Sequence, residues 1–170
     1  MKKLSILSDC ESNNINQTVT EIPLNRDTQY IIYGGQFSQG IGSVLEQMID
    51  NQIKGSALMH KKDFRVISSE NGQTIIDIYE KMLALGNPPK YVLVASRYQD
   101  NFNSLKLCQH IDAARRINQH PTKIFSHSIS SDFNRQAESC GVVDERVDKS
   151  NLDKLSYQLM LGLVLDGLKK

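Results

Sequence analysis

Tyr91-Val92-Leu93-Val94-Ala95 is apolar at every position, and this run constrains the fold more than any other part of the chain. A strand with one wet face alternates apolar and polar residues. An unbroken apolar run needs cover on both faces, which is the situation of a central strand in a parallel sheet flanked by helices. The segments on either side repeat a strand-then-helix unit. Tyr30-Ile31-Ile32-Tyr33 is a short apolar run stopped by Gly34-Gly35. Ser38 can cap a helix in which Ile41, Val44, Leu45, Met48 and Ile49 fall on one face. Phe64-Arg65-Val66-Ile67 supplies a second strand, and Ile75, Ile76, Tyr79, Met82 and Leu83 a second helical face ended by Gly86 and Pro88-Pro89.

Beyond Ala95 the cycle continues. A helix is expected from about Ser104 to Asn118, then a strand Lys123-Ile124-Phe125-Ser126. A short helix carrying Phe133, Ala137 and Cys140 ends at Gly141, and a weak fifth strand lies at Val142-Val143 or just beyond. A helix over 151–168 closes the chain. Such alternation requires crossover connections and therefore a parallel sheet. The expected fold is α/β: a three-layer, doubly wound, five-stranded domain over residues 29–170. Residues 1–28 lack a helical period, and 10–20 are polar and Asn-rich. They read as an N-terminal appendage, with Leu4, Ile6 and Leu7, then Val19, Ile22 and Leu24, as two short strands. A register that makes Lys3–Asp9 the first strand is the alternative, and the lack of a helical pattern between it and residue 38 weighs against it.

Composition narrows the function classes. A length of 170 residues suits one domain. Twenty Lys and Arg against nineteen Asp and Glu give a net charge of +1, which offers no electrostatic footprint for nucleic acid or an anionic membrane. Lys61-Lys62, Arg115-Arg116 and Lys169-Lys170 are short, scattered basic pairs. Cys10, Cys108 and Cys140 are odd in number and lack C-x-x-C spacing, so partly buried reduced thiols are expected rather than a disulfide framework or zinc site. Asp9 and Glu11 interrupt the basic start Met1-Lys2-Lys3, so no signal-peptide core follows, and no apolar run approaches the roughly 20 residues of a membrane span. A cytoplasmic location is expected.

Three features bear on function. Gly34-Gly35-Gln36-Phe37-Ser38-Gln39-Gly40-Ile41-Gly42 joins a strand to a helix, where glycines can let an anion reach backbone N–H groups. Its spacing is neither G-x-G-x-x-G nor a P-loop, and no Lys follows. Two readings stay open: tight helix–sheet packing, or a ligand loop using Gly35, Ser38, Gly40 and Gly42, with a nucleotide as ligand. The histidines His60, His110, His120 and His127 form no metal-binding pair. His127 sits between Ser126 and Ser128 at a strand's carboxyl end, where open α/β sheets place their sites, but without a nucleophile elbow. The absence of clustered acids, bases or metal ligands points away from an enzyme and from any cofactor. In the last helix Leu152, Leu155, Leu159 and Leu163 make one stripe, while Tyr157, Met160, Leu161, Val164, Leu165 and Leu168 spread apolar surface over the other faces. A helix apolar nearly all round is buried on more than one side, and large apolar patches are rare on monomers. Tyr157, Met160, Leu161, Val164 and Leu168 are therefore expected to meet a second copy or another protein, the appendage being the alternative cover.

From Tyr30 onward the order of elements resembles the receiver domain of bacterial response regulators. Phe64-Arg65-Val66-Ile67-Ser68-Ser69-Glu70-Asn71-Gly72 is similar to the receiver segment around its second strand, and Pro89-Lys90-Tyr91-Val92-Leu93-Val94 to the run leading to the phosphorylated aspartate. Glu138-Ser139-Cys140-Gly141-Val142-Val143-Asp144 resembles the turn before the fifth strand. The resemblance implies a flavodoxin-like fold, but not the receiver's chemistry. Gly34 and Gly35 stand where receivers carry their magnesium-binding acidic pair, and Ala95, or Ser96 with a shift of one, where they carry the phosphoacceptor. Ser126 matches the switch Ser/Thr and Lys149 lies near the invariant Lys. Asp100, in the loop after Ala95, could replace the acceptor only by a large rearrangement. The implied protein is a pseudo-receiver: non-catalytic, not phosphorylatable, acting by homodimerisation or by docking to a regulatory partner. The other reading is a small-molecule binder or enzyme built on loop 34–42.

Overall fold

The computed structural model describes residues 23–36, 38–55, 64–128, 131–147 and 151–168. Most of the expected appendage (1–22), and with it Cys10, lies outside this set, as do His60, Lys149 and Lys169-Lys170. The chain runs β1 (Gln29–Gly34), α1 (Ser38–Lys54), β2 (Phe64–Ser69), α2 (Gly72–Leu85), β3 (Tyr91–Val94), α3 (Ser104–Asn118), β4 (Lys123–His127), α4 (Ser131–Ser139), β5 (Glu145–Val147) and α5 (Leu152–Leu168). All pairings are parallel, in the order β2-β1-β3-β4-β5. This is the doubly wound, flavodoxin-like arrangement, with its switch point between β1 and β3.

Strand alternation divides the core in two. Ile32, Val92, Val94 and Ile124 face one side, where Ile75, Ile78, Tyr79 and Met82 of α2 and Leu107 and Ile111 of α3 cover them. Ile31, Tyr33, Leu93 and Phe125 face the other, under Leu45 and Ile49 of α1 and Leu155, Leu159 and Leu163 of α5. All four residues of β3 are buried, as its unbroken apolar run requires. Arg115 pairs with Asp112 of the same helix at 2.7 Å and donates to the carbonyl of Thr122, just before β4, at 2.9 Å.

One local expectation resolves between its two placements and another shifts. The fifth strand forms at Glu145–Val147, just beyond Val142-Val143. Gly141 turns the chain at φ 68°, and Val142 then drops into the core. The Asp144 N–H and carboxylate bond the Ile124 carbonyl and N–H, so pairing begins one residue later. In α1, Val44 is exposed and Gly42 takes its place on the inner face with Ser38, Leu45, Ile49 and Ile53. The helix lies so close to β2 there that a Cβ on Gly42 would overlap the Ser68 hydroxyl. Cys108 is buried and Cys140 exposed.

The N-terminus of α2 shows a similar close approach. A Cβ on Gly72 would run into Cβ of Phe102, which cannot move without its backbone. Gly72→Ala should therefore lower stability by about 1–3 kcal/mol through overpacking. In a roomy site the same change would raise it by about 0.4–1 kcal/mol through the unfolded state. Urea denaturation of the two proteins gives the sign.

Candidate functional site

The carboxyl ends of β1, β3 and β4 meet at the switch point, and the loops leaving them are stitched together by backbone hydrogen bonds. Gly35 N–H donates to the Ser69 carbonyl (3.1 Å), Gln36 N–H to the Arg97 carbonyl (2.9 Å) and Ser38 N–H to the Gly35 carbonyl (3.1 Å). Ala95 N–H donates to the Gly34 carbonyl at 3.2 Å. Ser38 is fully buried, and its hydroxyl donates to the Ser69 carbonyl at 2.8 Å. The N–H groups of Gly35, Gln36 and Ser38, which an anion would use, are thus already bonded within the protein.

The glycines serve contact here. Gly35 has φ 138°, a conformation open to glycine and costly for other residues. A Cβ on it would also overlap Cβ of Ala95. A Cβ on Gly34 would lie 2.8 Å from the Tyr98 hydroxyl oxygen and 3.1 Å from Cγ1 of Ile75. Gly40 has open space around it, whereas Gly42 packs on Ser68. Tyr98, in the loop between β3 and α3, is buried and belongs to the core beneath α2 and α3. Burial pushes its phenol pKa well above the ordinary value, so it stays neutral. The Ser126 hydroxyl has no hydrogen-bond partner among the described residues.

The structure separates residues that the sequence reading placed together. Ser126 pairs with Val94 in register, on the face covered by α2 and α3. Ala95, one residue on, points to the opposite face. The neighbour of Ala95 on that face is His127, whose Nδ1 is 2.6 Å from the Tyr33 hydroxyl in a buried, edge-on ring pair. Burial also raises the Tyr33 pKa, so its phenol stays protonated. Ser128 donates to the Ser96 hydroxyl at 2.8 Å, beyond the strand ends. Asp100 caps α2: its carboxylate accepts from Gly72 N–H at 2.9 Å and Gln73 N–H at 3.0 Å. Lys149 lies outside the described residues.

The magnesium ion of receivers does not fit this arrangement. A hard cation needs carboxylate oxygens, and at Gly34 and Gly35 there is neither an oxygen side chain nor room for one beside Tyr98 and Ala95. Among the described residues no group of three or more His, Cys, Asp or Glu side chains is placed to hold a metal ion. No helix among them is long and apolar enough to cross a membrane.

The last helix corrects part of the interface expectation. Met160 is buried and Val164 packs against the same core, because both turn toward the sheet and α1 rather than outward. Tyr157, Leu161 and Leu165 are the exposed apolar residues, at 53%, 37% and 55%. The Leu168 side chain lies outside the described set.

No protein-family model and no curated protein matches the sequence. Solved structures do match the fold. A signal receiver domain from Vibrio parahaemolyticus superposes with a TM-score of 0.57 at 14% identity, covering 84% of this chain and 95% of that one. A two-component response regulator from Cytophaga hutchinsonii gives 0.54 at 15% identity, over 81% and 98%. A response regulator from Thermotoga maritima gives 0.52 at 17%, over 79% and 97%. The fold is that of receiver domains.

Tyr98 was not singled out from the sequence. The available signal was reciprocal: two adjacent glycines at one strand end and a bulky aromatic in the loop from the next strand. If the glycines serve this contact, Gly35→Ala should cost about 1–3 kcal/mol from backbone strain and overlap. Gly40→Ala, in open space on a helix, should be neutral or stabilise by up to about 1 kcal/mol. Thermal melts of the two variants provide the contrast.

Proposed function

We propose that this protein is a receiver-like signalling or adaptor module that does not use aspartyl phosphorylation and works by protein contact. One observation carries the proposal: the Tyr98 hydroxyl over Gly34 and the Ala95 methyl against Gly35 crowd the two positions where the resemblance places an acidic pair. Receiver chemistry requires a carboxylate nucleophile for the phosphoryl group and further carboxylates for the metal that neutralises it. The nearest carboxylate in the loop, Asp100, is held by two helix N–H groups. It would have to give up that cap to reach the switch point.

The other reading, a nucleotide on loop 34–42, draws less support. Its backbone donors at Gly35, Gln36 and Ser38 are bonded to carbonyls, and Gly42 is consumed by packing. In this proposal the protein is not an enzyme and needs no cofactor. Its output is the surface it presents.

Incubation with acetyl phosphate and magnesium, followed by intact-mass measurement, should leave the protein's mass unchanged. A stoichiometric adduct that survives acid and is lost in base would show an aspartyl phosphate and end the proposal.

A further inference from the structure

We infer that the outer ridge of α5 is covered in cis by the chain's own N-terminal segment, residues 1–22, through Leu4, Ile6 and Leu7. The inference goes beyond the proposed function and does not depend on it.

Exposed apolar side chains are few, and they gather in one place. Among the described residues the large ones are Val44, Ile117, Tyr157, Leu161 and Leu165. Val44 and Ile117 stand singly on α1 and α3, whereas the other three follow one another at i, i+4 spacing along α5. The N-terminal segment has the complementary need. Leu4, Ile6 and Leu7 form an apolar cluster, followed by the polar stretch Ser8-Asp9-Cys10-Glu11-Ser12-Asn13-Asn14. A segment of this length is too short to bury such a cluster in a core of its own.

The described chain begins at the end of the sheet that this part of α5 overlies. Asn87 Nδ2 donates to the carbonyls of Asn25 (2.8 Å) and Thr28 (2.7 Å), and Lys90 N–H donates to the Tyr30 carbonyl at 2.8 Å. These bonds fix residues 25–30 at the amino edge of the sheet, beside Tyr91, the first residue of β3. α5 crosses the same edge, because a Cβ on its Gly162 would overlap the Tyr91 hydroxyl. Leu161 and Leu165 lie within one helical turn of Gly162. Leu24 packs beneath α2 and α3 while α5 covers the opposite face, so the segment has to round the amino edge. The ridge from Tyr157 to Leu165 is about 12 Å long at 1.5 Å per residue. Residues 8–23 can reach up to about 55 Å, several times that length.

Connectivity also decides between this occupant and a second copy. A tethered segment meets the ridge at an effective concentration on the order of millimolar, about a thousandfold above a second copy present at micromolar. For contacts of similar strength the attached occupant prevails.

Cys10 places a reporter inside the segment. In a Cys140→Ser background a nitroxide spin label can be attached to it selectively, because Cys108 is buried and burial pushes its thiol pKa up to about 12. In the ¹⁵N-labelled full chain, the amide signals of Tyr157, Leu161 and Leu165 should then lose most of their intensity, while that of Gln73, at the carboxyl edge, keeps it. Adding Ile6→Asp should restore the ridge signals. A second sample mixes the spin-labelled chain at natural nitrogen abundance with a ¹⁵N-labelled chain carrying Cys10→Ser and Cys140→Ser, and it should show no loss. Ridge signals that stay intact in the first sample overturn the inference, as does a loss that survives Ile6→Asp. Loss in the mixed sample overturns it in favour of a second copy as the occupant. The phosphorylation assay is a separate measurement: an adduct there ends the proposed function and leaves this contact standing.

Discussion

Contact between bare backbone and side chain at the carboxyl edge of the sheet holds the functional end of this molecule together. With no Cβ at Gly34 or Gly35, the loop after β3 lies directly on the end of β1, placing Tyr98 over one glycine and Ala95 against the other. This approach makes possible the hydrogen bonds that join the loops, from Gln36 to Arg97 and from Ala95 to Gly34. It is also the basis of the proposed function. Space that could hold carboxylates and a cation holds an aromatic ring and a methyl group instead, and a buried phenol kept neutral by desolvation supplies no charge.

The same economy of space recurs across the fold. Gly42 brings α1 onto Ser68, Gly72 brings α2 onto Phe102, and Gly162 brings α5 onto Tyr91, each position lacking room for a methyl group. Helices seated this closely cover both faces of β3 and leave little freedom at their junctions with the loops. Asp100 shows the consequence. In the loop where a receiver's reactive carboxylate would be sought, the acid has become a helix cap for α2, a contact typically worth about 1 kcal/mol. Under the proposed function, the outer surfaces are the part of the molecule that meets a partner.

Much of the fold was legible because burial on two sides leaves a plain mark in sequence. The run Tyr91–Ala95 identified the central strand, and helical spacing identified α2 and α3 nearly to their ends. Weak edges were less legible. β5 is three residues long and carries exposed Glu145 and Arg146, so it has neither length nor apolar pattern. Val44 was misplaced because a hydrophobic period cannot show that a glycine will take the innermost position. The site was only half legible. Missing acids can be read directly from residue identity, but Ser126 and Ala95 looked like neighbours because a linear match does not register that adjacent positions in paired strands face opposite sides. Tyr98 stayed hidden because its partners lie on another strand. Met160 and Val164 read as surface because a helix apolar all round does not reveal which of its faces meets the sheet.

The most direct test of this account is an NMR titration of the ¹⁵N-labelled full chain with magnesium and beryllofluoride, a mimic of the phosphorylated state. If Tyr98 and Ala95 close the switch point, the amide signals of Gly34, Gly35, Ala95, Ser126 and His127 will not move as the mimic is added. Saturable shifts confined to those amides would mean that the site admits a phosphoryl group and its metal, contradicting the account at its centre.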